Sequence, residues 1–336
     1  HRKRREMTRA PSLWEQVDAE GEELDVGAYL ERIGLSEAPP VTREGLETLL
    51  RAHIAHVPWE NLDVYGRKGP ATITLDVRQT YAKILRKRGG FCFELNVLFG
   101  WLLRQFGFDA KYCLARVWRG TDATKDECHS FVTNVLEEQT AAWDGKHAPP
   151  HVMVVVRVDG ALYVADVGFG DVPLVPLPLQ LDDSPTVVEI PGDYSYELRR
   201  KNEGLFCLYR ISQGFPGLNG IRSAPGTPEP RLLFDLNLNR PASNFAPGLL
   251  RCQTDDDTPT IFRAMLLIVR HELDGTKHVL MNNRLRVTKA STTEESLLDS
   301  EAEFFAVLAR NFLMTALLDD DEERARVQPA LDKVLA

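Results

Sequence analysis

"RGGFCFELNVLFGWLLRQFG", residues 88–107, sets a cysteine after two glycines and an aromatic, then runs into an apolar pattern. Leu95, Leu98, Phe99, Leu102, Leu103 and Phe106 recur three and four apart, which predicts an amphipathic helix, and Gly107 stands where a C-terminal cap belongs. Cys92 then lies in the first helical turn. Unpaired backbone N–H groups and the positive end of the helix dipole favour an anion there, so a lowered thiol pKa is expected. The same N–H groups could hold an oxyanion. Gly89 and Gly90 leave the approach to the sulfur open to a substrate or a second strand. A lone cysteine in an apolar helix is as readily a buried space-filler, so its reading turns on whether the chain supplies a base.

The segments before it also read as helices. In "DVGAYLERIG" (25–34) Asp25 can cap, Tyr29, Leu30 and Ile33 share a face, and Gly34 can close the helix. "TREGLETLLRAHIAHVP" (42–58) gathers Leu46, Leu49, Leu50 and His53 or Ile54 on one side, with Pro58 beyond its end. In "LDVRQTYAKILRKRGG" (75–90) Asp76 caps, Val77, Tyr81, Ile84 and Leu85 face inward, and Gly89 is the predicted stop.

A base is offered by "HVMVVVRVDGALYVADVGFG", residues 151–170. β-Branched residues flank Asp159-Gly160, a dipeptide favoured in two-residue hairpin turns. That turn pairs Val158 with Ala161, sets Met153 opposite Asp166, and makes His151 and Asp166 diagonal neighbours on one face. An Asp in that place can orient a His and stabilise its protonated form, the third-member role in a nucleophilic triad. A surface His-Asp pair would look the same locally, but "MVVVRV" is apolar on both faces and implies burial. His129 and His147 compete for the base role, yet neither has an Asp in hairpin register with it.

"RGGFCFELN", a histidine about sixty residues on, and the Asp of "DVGFG" fifteen later resemble the arylamine N-acetyltransferase family in order and spacing. "YLERIGL" (29–35), "LRAHIAHVPWENLDV" (50–64) and "FGWLLRQFGFDAKYCLARV" (99–117) extend the resemblance, which runs from about residue 28 to 180. It implies an α+β chain: a helical bundle over 1–112 holding Cys92, a β-barrel over 113–234 holding His151 and Asp166, and an α/β lid over 235–336, with a cysteine-protease-like triad. It implies ping-pong acyl transfer, in which an acyl-CoA acylates Cys92 and an arylamine, hydrazine or arylhydroxylamine attacks the thioester. Acetyl-CoA is the implied donor, with malonyl-CoA or propionyl-CoA as alternatives. Phe91, Gly168, Phe169 and Gly170 are implied to meet acceptor or CoA, while Glu60 and Arg88 are implied to be buried supports near the nucleophile. Trp59 stands where the family more often has Phe.

Two stretches depart from the family pattern. Residues 121–150 form a longer polar connection, expected as a surface excursion with a short strand at "SFVTNVL", and "NLNRPASNFAPGLLRCQTDDDTPTIF" follows the lid only loosely. "FRAMLLIVRHELDGTKHVLMNNRLRV" predicts two strands around Asp274-Gly275, "TEESLLDSEAEFFAVLARNFL" an amphipathic helix from its Thr onward, and the acidic run of the charged tail "LDDDEERARVQPALDKVLA" a solvated face. "DVPLVPLPL" reads as an extended edge or a crossing strand that Pro keeps from pairing on both sides.

Composition limits the remaining classes. A net charge of −9 argues against a general nucleic-acid surface. No apolar stretch approaches the roughly 20 residues a bilayer span requires, so no membrane partner is expected. No zinc-like Cys/His spacing or phosphate-binding loop is present, so no metal is expected. Five cysteines with no CxxC pair and no secretory signal pattern suit a reducing compartment, and the expected location is cytoplasmic. The opening "HRKRRE", ahead of Met7, reads as a tag or tail. A cysteine hydrolase or transglutaminase, which needs no CoA, and a non-catalytic scaffold binding acyl-CoA or amine are the competing readings.

Overall fold

The computed structural model describes residues 11–66, 73–117, 151–170, 173–180, 182, 186–189, 195–202, 205–211, 224–226, 228–235, 245–253, 261–289 and 292–336. The excursion over 121–150, with His129 and His147, lies outside them.

Among the described residues five helices precede the first long strand: α1 (Leu13–Glu20), α2 (Val26–Arg32), α3 (Arg43–His56), α4 (Val77–Leu85) and α5 (Cys92–Gln105). Local chemistry starts them where expected. Asp25 accepts from the N–H groups of Gly27 and Ala28, Thr42 from Gly45, and Asp76 from Arg78. Gly34 and Gly107 take positive φ just past α2 and α5, as predicted for closing residues. The end of α4 differs. Its turn is made by Lys87 at φ 60°, and Gly89 serves another purpose: a Cβ there would lie 2.1 Å from the Pro58 carbonyl oxygen. The neighbour admitted by the glycine pair is a strand, since β1 (Trp59–Glu60) bridges Gly90 and the Glu60 N–H donates to the Gly90 carbonyl at 2.8 Å.

The sequence pattern gave α5 one apolar face, but every residue from Cys92 to Leu103 is buried. The reason is its position between α1 and α4 on one side and strands β2 and β3 on the other. An eight-stranded antiparallel sheet runs in the order β5-β4-β3-β2-β9-β8-β7-β6. Its strands are β2 (Asp109–Val117), β3 (His151–Val158), β4 (Ala161–Ala165), β5 (Leu177–Leu179), β6 (Thr186–Glu189), β7 (Ser195–Asn202), β8 (Leu205–Ile211) and β9 (Pro228–Asp235). Among the described residues this sheet is open, which corrects the expected β-barrel: β5 and β6 are its two edges. Pro178 within β5 and Pro176 just before it share one parity, so one side of this segment lacks two N–H donors, and a strand so depleted ends a sheet.

The second sheet is also antiparallel, in the order β1-β10-β11-β12-β13, with β10 (Leu267–His271), β11 (Lys277–Met281), β12 (Arg284–Lys289) and β13 (Thr292–Leu297). Thus β1, from the helical region, is part of the C-terminal sheet. The β10–β11 hairpin around Asp274-Gly275 is as predicted. "TEESL" is not helical. It pairs with β12 as an edge strand, and the helix begins at Glu301, where Ser300 and Glu303 form a reciprocal capping box. The charged tail forms a helix, Asp321–Leu335, that buries Glu323, Val327, Ala330 and Leu331 rather than presenting a wholly solvated face. No helix of the described residues is long and apolar enough to cross a membrane.

Candidate active site

The three residues singled out for nucleophilic chemistry come together at the junction of α5, β3 and the loop after β4. Cys92 opens α5 and is buried, near enough to His151 for the imidazole to draw its pKa down. His151 opens β3, and its Nε2 lies 2.6 Å from Asp166 Oδ2, which leaves Nδ1 for the sulfur. The Asp159-Gly160 turn takes positive φ at both positions, and Val158 pairs with Ala161 as predicted. Ladder pairing stops at Val154–Ala165, however, so Asp166 has left the strand when it meets His151. Its position is set by other bonds: Oδ1 accepts from the Gly168 N–H at 2.8 Å and from Asn96 Nδ2 at 2.8 Å.

Asn96 is the residue sequence reasoning missed. It sits one helical turn after Cys92, and its Nδ2 also donates to the Val152 carbonyl at 2.6 Å while its Oδ1 accepts from the Val167 N–H at 3.0 Å. A polar side chain within a wholly buried apolar helix was the available signal, because such a group must find partners.

Electrostatics here oppose a simple helix-dipole reading. Burial pushes the Cys92 thiol up to about 11, outweighing the hydrogen bond and charge of His151 that draw it down. This corrects the expected lowering. Burial disfavours the His151 cation, yet the charge and hydrogen bond of Asp166 prevail and raise that pKa to about 10. The site therefore favours an imidazolium, and a sulfur anion is stabilised only as its immediate partner.

The glycines of "DVGFG" have separate structural causes. A Cβ on Gly168 would lie 2.7 Å from Cys92 Cα and 2.5 Å from Asn96 Nδ2, so this loop is in van der Waals contact with the start of α5. Gly170 has φ +80°, and its carbonyl accepts from His271 Nε2 at 3.0 Å, joining the loop to β10. Phe169 stands edge-on to the His151 ring at 5.6 Å. Phe91 is fully buried, packed at 5.9 Å against both Phe93 and Phe262.

Glu60 and Arg88 belong to a buried ionic cluster near the start of α5. Arg88 donates to Glu60 at 2.7 Å, Asp63 at 3.2 Å and Glu323 at 3.4 Å, and Lys83 Nζ lies 2.7 Å from Asp63 and 2.9 Å from Glu94. Glu94 accepts the Phe91 N–H at 3.0 Å, so the cluster ends on the residue before Cys92. Burial raises the Glu94 pKa against the opposing charge of Lys83. Among the described residues no group of His, Cys, Asp and Glu could hold a metal ion.

Comparison with known proteins converges on one family. The family model described as N-acetyltransferase matches residues 42–144 and 127–318. The arylamine N-acetyltransferase of Mycolicibacterium smegmatis is 28% identical over 275 residues, covering 80% of this chain and 90% of its own. An N-malonyltransferase of Fusarium pseudograminearum is 34% identical over 137 residues, covering 40% of this chain and 36% of its own. The solved structure of Mycobacterium marinum arylamine N-acetyltransferase in complex with CoA superposes with a TM-score of 0.69 at 25% identity, covering 93% of this chain and 100% of that one.

Proposed function

The chain belongs to the arylamine N-acetyltransferase family and is an acyltransferase; from that premise we propose that it moves an acetyl or similar short acyl group from CoA to a small aromatic amine, hydrazine or arylhydroxylamine through a thioester on Cys92. The observation that carries this reading is the continuous chain from Cys92 through His151 to Asp166, closed by the 2.6 Å His–Asp bond.

In the first half-reaction Cys92 and His151 act as a thiolate–imidazolium pair, the proton residing on His151, and the sulfur attacks the thioester carbonyl of the donor. The N–H groups of the first turn of α5, unpaired within the helix, receive the oxyanion. The carbon–sulfur bond to CoA breaks, and the CoA thiolate takes the proton from His151. One thioester replaces another, so loading is nearly isoenergetic and reversible. In the second half-reaction the amine nitrogen attacks, His151 takes its proton and returns it to the departing Cys92 sulfur, and the amide or ester formed draws the cycle forward. Asp166 holds the imidazole ring and stabilises its cation throughout. Phe169, edge-on to that ring, and the flanking Gly168 and Gly170 line the path of acceptor and CoA in this reading; Glu60 and Arg88 support the floor. Among the described residues the cysteines at 92, 113, 207 and 252 are buried thiols rather than disulfides, which fits a reducing compartment and a cytoplasmic enzyme.

The test is intact mass after mixing with acetyl-CoA, propionyl-CoA or malonyl-CoA in the absence of amine, for the native chain and Cys92→Ala. An adduct of acyl mass on the native chain alone is expected, and its donor dependence identifies the preferred group. Absence of an adduct with every donor, in folded protein, overturns the CoA-dependent route in favour of a hydrolase or a binding scaffold.

A further inference from the structure

Cys92, His151 and Asp166 come from three segments, and one side chain touches the backbone or side chain of each neighbourhood. Asn96 is fully buried and lies four residues after Cys92 on the same helix. Its Nδ2 binds Asp166 Oδ1 at 2.8 Å and the carbonyl of Val152, next to His151, at 2.6 Å. Its Oδ1 accepts the N–H of Val167, next to Asp166, at 3.0 Å. The amide has one sensible orientation, because turning it over would set its oxygen against two acceptors and its NH₂ against a donor.

Each partner is buried, so a lost bond would leave polar groups unsatisfied in a dry site. The geometry also does something a helix-packing residue would not. Asp166 Oδ1 is held by Asn96 and the Gly168 N–H, which fixes the carboxylate plane and points Oδ2 at His151 Nε2. We infer that Asn96 is a positioning residue for acyl transfer: it aims the Asp166 carboxylate at His151 and thereby sets how readily the Cys92 proton passes to the imidazole. This rests on the acyl-transfer reading above. Asn96 itself touches no reacting atom and acts through Asp166.

The direction of its effect follows from the site's charges. An Asp166 carboxylate free to turn away no longer sustains the His151 cation, and a thiolate deprived of that cation is a bare buried anion. Removing Asn96 should therefore move ionisation of Cys92 to higher pH.

The experiment measures the iodoacetamide alkylation rate of Cys92 between pH 6 and 12, by mass of the Cys92 peptide, in the native chain, Asn96→Ala and the isosteric Asn96→Asp, with thermal melts at each pH to establish folding. For Asn96→Ala the expected result is a rate about 10-fold lower near pH 7 that converges on the native rate only above the native thiol's midpoint near pH 11. Asn96→Asp preserves volume while replacing the donor by a carboxyl, and the same displacement to higher pH is expected. A merely structural role would change melting, or scale the rate equally at every pH, without moving the profile. Folded variants whose profiles overlay the native one overturn the inference; should Asn96→Ala not fold, the Asn96→Asp profile decides. Acyl loading of the native chain, measured alongside, separates the two levels: loading with unmoved profiles sinks only the role of Asn96, whereas no loading sinks the acyl-transfer reading.

Discussion

Gly168→Ala is the substitution whose consequence can be worked most directly from the structure. Gly168 has no positive φ, so the effect is one of space alone. The new methyl carbon would lie 2.7 Å from Cys92 Cα, 2.9 Å from the Cys92 carbonyl oxygen and 2.5 Å from Asn96 Nδ2. Carbon atoms in contact prefer about 3.5–4.0 Å, so the loop and the start of α5 must separate by roughly 1 Å. Neither side yields easily, because Cys92 is backbone at the head of a buried helix and Gly168 is tied by its own N–H to Asp166 at 2.8 Å. Overpacking of this kind costs about 1–3 kcal/mol, and loss of a hydrogen bond to a charged group adds about 1.5–3 kcal/mol where the loop gives way. A displacement of about 1 Å at a catalytic constellation costs on the order of 10²-fold in rate. The assay pairs a thermal melt with single-turnover acyl loading by rapid-quench mass spectrometry. A Gly168→Ala protein with native Tm and a loading rate within about 2-fold of native would refute the argument that this loop fits against α5 without room for a side chain.

Three further substitutions test the interior and its edge. Arg88→Met leaves the fully buried Glu60 with the Leu62 N–H and, as its nearest cation among the described residues, Lys83 at 3.5 Å, and should cost about 3–5 kcal/mol in urea unfolding, whereas Arg86→Met, removing a half-exposed partner of Glu323, should cost less than about 1 kcal/mol; equal losses would count against the buried cluster as a support. His53 is fully buried, with Nδ1 2.7 Å from the Tyr29 hydroxyl; burial, then the charges of Arg32 and His56, lower its pKa to about 3. A folded-state value below the unfolded one contributes stability above about pH 6.5 that is lost as pH falls toward 3, at up to about 1.4 kcal/mol per pH unit. His53→Leu should flatten the fall in stability between pH 6.5 and 5, and an unchanged slope would show that His53 does not carry it.

What the sequence by itself determined about this protein is local. Asp25 and Asp76 cap because a carboxylate reaches an N–H two or three residues on, and Asp159-Gly160 turns because both residues tolerate positive φ. The same short-range rules placed Cys92 in the first turn of α5 and aligned His151 with the strand leading to Asp166. Tertiary structure decided everything that depends on what arrives from far along the chain. The acidic tail looked solvated, but Glu323 meets Arg88 across 235 positions, and no periodicity within either segment encodes that meeting. β13 took a strand because β12 offered an edge to pair with, against a helical pattern that only its own neighbours supported. The thiol followed the same logic. A helix N-terminus favours an anion, but burial pushes the thiol up, so the ionisation of Cys92 depends on His151 and, through Asp166, on groups that only folding brings within 3 Å of one another.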